Sequence, residues 1–272
     1  MITWKQGYYK WWNAYDENNK KLKVPSVSAV VDSKDDPELD KWIDEVGKEK
    51  AEEIMKAAAD RGTAMHLFLE NFYLAFAKGG GDLQKSLLYA QKKTPPQLTK
   101  DKIKESSIRT GRGMFYQLLE EFGAYSSFGQ IIPEKHIIKK VIGLETMIAN
   151  FEMPYRGKYD INYITRLSSG VPVNVLGDYK SASSQIEPGS VKERKMKLQL
   201  SGYWNAYELM KGRELDFAIL WVSIKNAGVQ KIQIGRDEYE DCFAEFKELC
   251  EHYHKINNQD MEMFKDYHIV KG

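Results

Sequence analysis

The chain has 272 residues, a length that can bury a sizeable hydrophobic core and that predicts one large domain or a core with insertions. Its net charge of +1 excludes a uniformly basic surface, so any binding to nucleic acid must depend on local clusters of positive charge. No apolar run approaches the roughly 20 residues of a membrane-spanning helix, and the N-terminus lacks the apolar stretch of a secretory signal, so we expect no membrane partner. The two cysteines, Cys242 and Cys250, lie on one predicted helix and indicate no disulfide, which is typical of a reducing compartment.

The first half of the chain is predicted to be mainly helical after a short β-hairpin. The hairpin would join an aromatic strand at Tyr8–Tyr15 to Leu22–Val24 across a turn-rich segment. Its aromatic residues could stack on unpaired bases, although packing against the core is the favoured interpretation. Helices are then predicted from Ser26, a potential N-cap, from Asp36 to Gly47, from Lys48 to Lys78 and from Ile108 to Phe122. Residues 79–105 contain glycines and two adjacent prolines and predict a mobile loop or lid, or an insertion without function.

The second half of the chain changes to the two-residue period of β-strands. Strands are predicted at 131–142, 144–151, 155–164 and 171–179, a helix at 190–211, two strands at 216–225 and 229–234, and a helix at 237–257. This order predicts an α/β fold with a mixed central sheet flanked by helices, plus an N-terminal helical layer and hairpin. We expect residues 1–125 to form the N-terminal region and residues 126–272 the core, packed as one compact unit.

An acidic residue followed two positions later by a lysine occurs four times in the chain. Three of these pairs lie on predicted helices or helix ends among other charges, where a solvated surface is the expected setting. The fourth, Asp178-Tyr179-Lys180, closes the apolar strand Val171–Leu176. Because side chains alternate along a strand, Asp178 and Lys180 should share one face and Tyr179 should point away. An ion pair at the surface is the alternative interpretation.

A second carboxylate favours a metal site over a surface ion pair. Asp160 lies on the preceding predicted strand, and if the two strands pair, its carboxylate converges with that of Asp178. Like charges at close range raise one another's pKa unless a cation lies between them. Oxygen ligands of this type suit Mg²⁺ or Mn²⁺. A further candidate ligand is His66, four residues before Glu70 on one helical face, for which a local His–Glu contact is the alternative.

Four short motifs follow one another between Pro25 and Tyr203. They are Arg61-Gly62-Thr63-x-x-His66-x-x-x-Glu70, Gly157-x-x-Asp160, Asp178-x-Lys180 and Gln199-x-x-x-Tyr203. Through these motifs the chain resembles the PD-(D/E)XK nuclease superfamily, and in particular its RecB-like exonuclease branch. That branch includes the mitochondrial genome-maintenance exonuclease, phage-encoded exonucleases and CRISPR-associated RecB-type nucleases. The resemblance implies a restriction-endonuclease-like core.

The resemblance also implies the catalytic and metal-binding residues. His66, Asp160 and Asp178 would be metal ligands, with the backbone carbonyl of Tyr179 as a further oxygen. Lys180 would orient or activate the attacking water and stabilise charge on the phosphate. The expected catalytic residues are therefore Asp160, Asp178 and Lys180.

Residues around that centre are implied to bind DNA or to support the metal. Gln199 and Tyr203, which share one helical face, would line the site and touch DNA. Glu70 and Glu134 would be carboxylates behind the ligands or at a second metal. Lys195, in the basic segment just before Gln199, would follow the phosphate backbone.

The expected function is a metal-dependent DNA exonuclease that hydrolyses phosphodiester bonds from single-stranded ends. Its expected cofactor is Mg²⁺ or Mn²⁺, and no iron–sulfur cluster is expected because relatives hold one with four cysteines. The partners would be DNA and a separate helicase or other replication or recombination proteins, because the chain has no helicase motif. The expected location is the cytoplasm of a bacterial or phage-infected cell. A structure- or sequence-specific endonuclease on the same fold, or a catalytically silent DNA-binding module, are the alternatives.

Overall fold

A five-stranded mixed sheet lies at the centre of the fold. The computed structural model describes residues 1–7, 11–34, 37–126 and 128–270. The strands are β1 Ile2–Gln6, β2 Trp12–Tyr15, β3 Lys140–Asn150, β4 Tyr155–Arg166, β5 Pro172–Ala182, β6 Phe217–Ile224, β7 Gly228–Ile234 and β8 Tyr267–Val270. The helices are α1 Val27–Val31, α2 Pro37–Val46, α3 Lys48–Lys78, α4 Leu83–Lys100, α5 Glu105–Glu121, α6 Val191–Lys211 and α7 Arg236–Ile256. The sheet has the order β3-β4-β5-β6-β7, and its β5–β6 pair is parallel while its other pairs are antiparallel. A parallel pair requires a crossover connection, which contains α6.

Helices cover both faces of this sheet. On one face α1, α6 and α7 enclose a core that includes Trp204 and Phe246. On the other face α3, α4 and α5 enclose a second core that includes Phe115. Strand β5 contributes to both cores, Leu176 to the first and Val175 to the second, as the alternation of side chains along a strand requires. The predicted fold class, α/β with a mixed central sheet, flanking helices and an N-terminal helical layer and hairpin, is confirmed.

The predicted N-terminal hairpin of Tyr8–Tyr15 with Leu22–Val24 is present in part, because the N–H of Leu22 donates to the carbonyl of Ala14 beside the turn. The main antiparallel partner of β2 is β1. The prediction missed β1, in which Ile2 and Trp4 are buried on one face. Residues 8–10 of the predicted strand lie outside the described residues. Strand β8 pairs in parallel with the other edge of β1, so this small sheet has three strands in the order β2-β1-β8.

Residues 79–105 contain the helix α4, so the predicted mobile loop or lid is wrong. Buried apolar side chains recur along α4 at helical spacing, at Leu83, Leu87, Ala90 and Leu98. Asn71 of α3 donates hydrogen bonds to Thr94 and Gln97, which ties the two helices together. Pro95 and Pro96 lie inside α4. A proline in a helix interior costs about 3 kcal/mol or more, and burial of the apolar face of α4 offsets this cost.

Other boundaries agree with the sequence pattern to different degrees. The helices α3, α6 and α7 begin and end within one residue of the predicted positions. Ser26 caps α1 as predicted, accepting a hydrogen bond from the N–H of Ala29 at 3.1 Å, whereas Asp36 lies outside the described residues. The predicted strand at 131–142 is wrong over most of its length, because it contains the 3-10 turn Pro133–Lys135 and β3 begins at Lys140. None of the described helices combines the length and the apolar character that crossing a membrane requires.

Candidate active site

The site forms where β4 and β5 stop pairing with each other. Their antiparallel register ends at Ile161 opposite Gly177, and Asp160 and Asp178 follow directly. Both carboxyl groups are buried. Oδ2 of Asp160 accepts a hydrogen bond from the N–H of Tyr179 at 2.6 Å, in the place where the next bond between the strands would form. Because the N–H and C=O of one residue in an extended strand face the same edge, the carbonyl of Tyr179 also lies on the Asp160 side of β5.

Asp178 and Lys180 lie on the same face of β5 and form an ion pair. Nζ of Lys180 is 2.6 Å from Oδ2 of Asp178, and the lysine side chain is 32% exposed. This approach lies outside hydrogen-bond geometry, so the buried Oδ2 has an ionic contact but no well-oriented donor among the described residues. Burial is the largest single effect and lowers the pKa of Lys180, but the neighbouring charges, that of Asp178 first, together raise it more, so the net shift is upward. Lys180 is therefore an ammonium group at neutral pH.

His66 reaches the same point from α3. Its Nδ1 is 3.2 Å from Oδ1 of Asp160, and its side chain is 30% exposed. The helix comes close to β5 at Gly62, one turn before His66, where an added Cβ would lie 3.2 Å from Oγ of Ser181. A small residue at position 62 therefore lets His66 approach the sheet.

Glu145 belongs to the same cluster, although none of the sequence motifs includes it. One ligand atom each from His66, Glu145 and Asp160 lies within 4.8 Å of the other two. Glu145 is on β3, near a shift in the pairing of β3 with β4, and has a φ of 45°. A positive φ is uncommon for a residue other than glycine. Lys158 of β4 forms an ion pair with Glu145. The available signal in the sequence was an acidic residue inside the otherwise apolar run that becomes β3.

Burial and neighbouring charges move the pKa values of the two central carboxyl groups in opposite directions. Burial raises the pKa of Asp160, but His66, Lys180 and the N–H of Tyr179 lower it more, so that it falls to about 2. Burial also raises the pKa of Asp178, which Lys180 opposes and Asp160 reinforces, and the result is about 6. Asp178 therefore takes up a proton far more readily than Asp160 does.

The pKa values of Glu145 and His66 are also shifted. Burial and the charge of Asp160 raise the pKa of Glu145 to about 7, against the opposing effect of Lys158. Burial lowers the pKa of His66, but the charge of Asp160 and its hydrogen bond raise it more, and the net shift is upward. Burial is the largest cause of the upward shifts of Asp178 and Glu145, and a bound cation would favour the charged forms of both carboxyl groups.

The donor set fits a hard divalent cation. His66, Glu145 and Asp160 offer one imidazole nitrogen and carboxylate oxygens within a small volume, and Asp178 adds a buried oxygen without an oriented donor. Carboxylate oxygens are the ligands that Mg²⁺ and Mn²⁺ prefer. The donor chemistry thus supports the coarse prediction of a metal-binding group. The three residues whose ligand atoms cluster include Glu145, which was not predicted, and do not include the predicted ligand Asp178.

Helix α6 contributes Gln199 and Tyr203 to the same site. Nε2 of Gln199 donates a hydrogen bond to the hydroxyl of Tyr203 at 2.7 Å. The ring of Tyr203 lies against Gly157, where an added Cβ would be 2.7 Å from a ring carbon. This contact gives a physical reason for the glycine of the Gly157-x-x-Asp160 motif.

Two clefts meet at the cluster. The first, here called the α6 cleft, has a volume of about 490 Å³ and includes in its lining Trp11, Ser26, Ser28, Asp32, Asp160, Asp178, Gln199 and Tyr203. The second, here called the α3 cleft, includes Gly62, Glu70, Asp101, Glu145 and Ser181. Three residues line both clefts, namely His66, Lys158 and Lys180. A chain passing from one cleft to the other would therefore cross the cluster.

The remaining predicted residues have different settings. Glu70 lines the α3 cleft, one helical turn after His66. Glu134 lies exposed on the 3-10 turn Pro133–Lys135, outside the residues that line the two clefts. Lys195 is 3.5 Å from Asp32, which lies in the lining of the α6 cleft.

Two other cations of the basic segment before Gln199 form ion pairs with acidic residues of α7. Arg194 forms an ion pair with Glu245 of α7 at 2.5 Å, and Lys197 forms one with Glu238 at 2.7 Å. Part of the positive charge expected on a phosphate track therefore holds α6 to α7.

Comparisons with known proteins add little to this geometry. No protein-family model and no curated protein sequence matches the chain. A crystal structure of a protein named as a proposed exonuclease, from Eubacterium rectale, is 10% identical over 71% of this chain and 68% of that chain, with a TM-score of 0.36. A structure of the protein SSO0001 is 16% identical over 72% of this chain and 75% of that chain, with a TM-score of 0.30. These TM-scores are too low to support an inference about function, which has to come from the site itself.

Proposed function

We propose that the chain is a metal-dependent nuclease that hydrolyses phosphodiester bonds of DNA, acting as an exonuclease on single-stranded ends. The observation that carries this proposal is the convergence of His66, Glu145 and Asp160 beside the Asp178–Lys180 pair, at the junction of two clefts. The implied cation is Mg²⁺ or Mn²⁺. His66, Glu145, Asp160 and Asp178 would hold it with the carbonyl of Tyr179. When bound, such an ion supplies charge stabilisation at the phosphate and acidifies a water molecule.

The roles of the protein's own residues follow from their charge. Lys180 is an ammonium group with a third of its side chain exposed, so it stabilises negative charge on the phosphate and orients water by donating hydrogen bonds. It is too strongly protonated to act as a general base. Gln199 and Tyr203 offer an amide and a hydroxyl in the lining of the α6 cleft, where they would contact the phosphate or sugar of the strand.

Access to the site favours a single strand. Asp160 and Asp178 are buried, so a phosphodiester must enter the α6 cleft to reach them. An unpaired strand can bend into such a cleft, whereas a duplex would first have to unpair.

The charge of the α3 cleft favours action at strand ends. Beyond the cluster, with its cations Lys158 and Lys180, the lining adds the acidic residues Glu70 and Asp101, which would repel further phosphates. A strand that ends near the cluster avoids this repulsion, which supports exonuclease action over internal cleavage. A separate helicase or other partner protein would have to supply unpaired ends from duplex DNA.

The test is digestion of end-labelled linear single-stranded DNA, run beside a covalently closed circular strand. Each substrate is incubated with Mg²⁺, Mn²⁺ or EDTA, using the unaltered protein and Asp178→Asn. Metal-dependent loss of the linear strand alone, absent in the variant, supports the proposal, and the position of the label gives the direction of digestion. Cleavage of the circle would instead indicate an endonuclease. Binding without cleavage under all conditions would indicate a silent DNA-binding module.

A further inference from the structure

An aromatic side chain lines the α6 cleft without taking part in the proposed hydrolysis. Trp11 shares the lining of this cleft with Asp160, Asp178 and Lys180. Its side chain is only partly buried, so part of the indole surface is open. An indole has no atom that binds a hard cation or transfers a proton at neutral pH. Its position beside the cluster therefore requires another explanation.

The carbonyl group of Trp11 is anchored by two hydrogen bonds. Its carbonyl oxygen accepts a hydrogen bond from the N–H of Gly7 at 2.9 Å and another from Nδ2 of Asn13 at 3.2 Å. An added Cβ at Gly7 would lie 2.9 Å from Nδ2 of Asn13, so the close approach of these two residues leaves little space for a side chain at position 7. The indole is thus presented from a fixed point.

A cation holds the indole in place. The guanidinium carbon of Arg156 lies 5.2 Å from the centroid of the Trp11 ring, within the range of a cation–π contact. Nη1 of Arg156 donates hydrogen bonds to the carbonyl of Trp12 and to Oδ1 of Asn13, both at 3.0 Å. Arg156 is on β4, the same strand that carries Asp160. The indole is therefore positioned by the strand that also positions the cluster.

The chemistry of this wall matches a nucleotide. An aromatic face binds a nucleobase by stacking, an interaction that tolerates any base. The hydroxyl groups of Ser26 and Ser28, 3.0 Å apart, line the same cleft and can contact a sugar or a phosphate. A base inside a duplex is already stacked on both sides, so a partly exposed indole in the lining of the cleft favours an unpaired base.

We propose that Trp11 is the stacking position for an unpaired nucleobase next to the phosphate at the catalytic cluster. This inference rests on the proposed function and defines its substrate more closely, as a strand whose bases are unpaired at the site. It assigns Arg156 as the residue that positions Trp11.

The first test measures binding without turnover. A fluorescently labelled oligothymidylate is titrated in EDTA with the unaltered protein, Trp11→Ala, Trp11→Phe and the control Trp42→Ala. Trp42 is also partly buried but lies on α2, outside the residues that line the two clefts. We expect Trp11→Ala to weaken binding by roughly 5- to 100-fold, Trp11→Phe to weaken it less, and Trp42→Ala to leave it unchanged. Equal affinity of Trp11→Ala and the unaltered protein would overturn the inference.

The second test removes the base instead of the indole, so it does not depend on how a variant folds. Oligothymidylates with a single abasic nucleotide at successive positions from the end are titrated under the same conditions. One position should weaken binding to the unaltered protein by the factor seen for Trp11→Ala, and should cause no further loss in that variant. No sensitive position, or an equal loss in both proteins, contradicts stacking on Trp11. If one abasic position weakens binding but no metal-dependent cleavage occurs, the stacking site is supported and the nuclease function is refuted. If cleavage occurs but no abasic position weakens binding, the nuclease function is supported and the stacking site is refuted.

Discussion

The N–H of Tyr179 and Oδ2 of Asp160 are 2.6 Å apart, and this hydrogen bond sets the orientation of the central carboxylate. It leaves Oδ1 of Asp160 facing His66 at 3.2 Å. The carboxylate is thus held at both oxygens, one by β5 and one by α3. A ligand fixed in this way needs little reorganisation when a cation binds.

Replacing Lys180 with Ala should reduce cleavage by about 10²- to 10³-fold while sparing DNA binding. The change removes the ammonium group that faces the phosphate and leaves Asp178 without its counter-charge. Single-turnover cleavage and equilibrium binding are measured on the same protein. Lys211→Ala, an exposed lysine at the end of α6, is the matched control and should retain full activity. Turnover of Lys180→Ala within about tenfold of the unaltered protein, about 1.4 kcal/mol of barrier, would rule out the assigned role.

Replacing Glu145 with Gln should weaken binding of Mn²⁺ by about 10- to 100-fold. The carboxylate is one of three groups whose ligand atoms lie within 4.8 Å of one another, and an amide at this position carries no charge. Titration calorimetry with Mn²⁺ measures the effect directly and requires no substrate. Glu134→Gln is the control, because Glu134 is exposed on a 3-10 turn away from the clefts. An equal loss in both variants would exclude Glu145 as the specific ligand.

Stability should fall as the pH is lowered from 7 towards 4, partly because of His136. Burial, with a contribution from Lys139, lowers the pKa of this histidine to about 4 in the folded protein. In the unfolded chain the pKa is about 6.5, so between these values the unfolded state binds a proton that the folded state does not. The contribution of His136 is therefore complete above about pH 6.5 and is lost towards pH 4, with a maximum of about 3 kcal/mol.

His136→Phe should flatten this pH dependence. The imidazole stacks on Tyr73 and meets Phe76 edge to face, so a phenyl ring matches its shape, although the replacement removes the hydrogen bond to the Tyr73 hydroxyl and lowers stability at every pH. Urea unfolding at a series of pH values gives the slope for each protein. His268→Phe, at an exposed position on β8, should leave the slope unchanged. A slope in His136→Phe equal to that of the unaltered protein would show that other groups account for it.

Two glycines on α5 should respond in opposite ways to replacement by alanine. A Cβ at Gly111 would lie 2.5 Å from Cβ of Ala64 and 2.7 Å from the carbonyl oxygen of Arg61, whereas a Cβ at Gly113 meets nothing within 4 Å. Gly111→Ala should destabilise the fold by about 1–3 kcal/mol through overpacking, and Gly113→Ala should stabilise it by up to about 1 kcal/mol through helix propensity. Thermal unfolding of both variants checks the signs. Loss of Mn²⁺ affinity in Gly111→Ala alone would show that this contact also positions His66 on α3.

Local patterns predicted much of the fold, and their failures have physical causes. The helix at Lys48–Lys78 was predicted from its apolar period and its terminal glycines, and these are local signals. The helix α4 was missed because two prolines favour a loop, while the burial that stabilises the helix comes from α3, a tertiary partner. The shifted hairpin has a similar cause, because β1 is supported by β8 from the other end of the chain.

Some residues of the candidate site could be predicted from local spacing, and others could not. Asp178 and Lys180 could be placed on one strand face from the spacing alone, and the structure puts them there. Glu145 could not be found by spacing, because the position of its side chain depends on its own positive φ and on the pairing of β3 with β4. The isolation of Glu134 likewise follows from the 3-10 turn that replaced a predicted strand.

The parallel pairing of β5 with β6 has a consequence for biosynthesis. The cluster takes His66 from α3, Glu145 from β3, Asp160 from β4 and Asp178 from β5. Strand β5 pairs with β6, which is synthesised only after α6. Contacts this distant in sequence form late in folding, because loop closure must come first. A chain synthesised only as far as α6 therefore has no assembled cation site, and a divalent cation bound at the proposed site would stabilise the folded chain. The melting temperature of the finished protein should accordingly rise with the concentration of divalent cation.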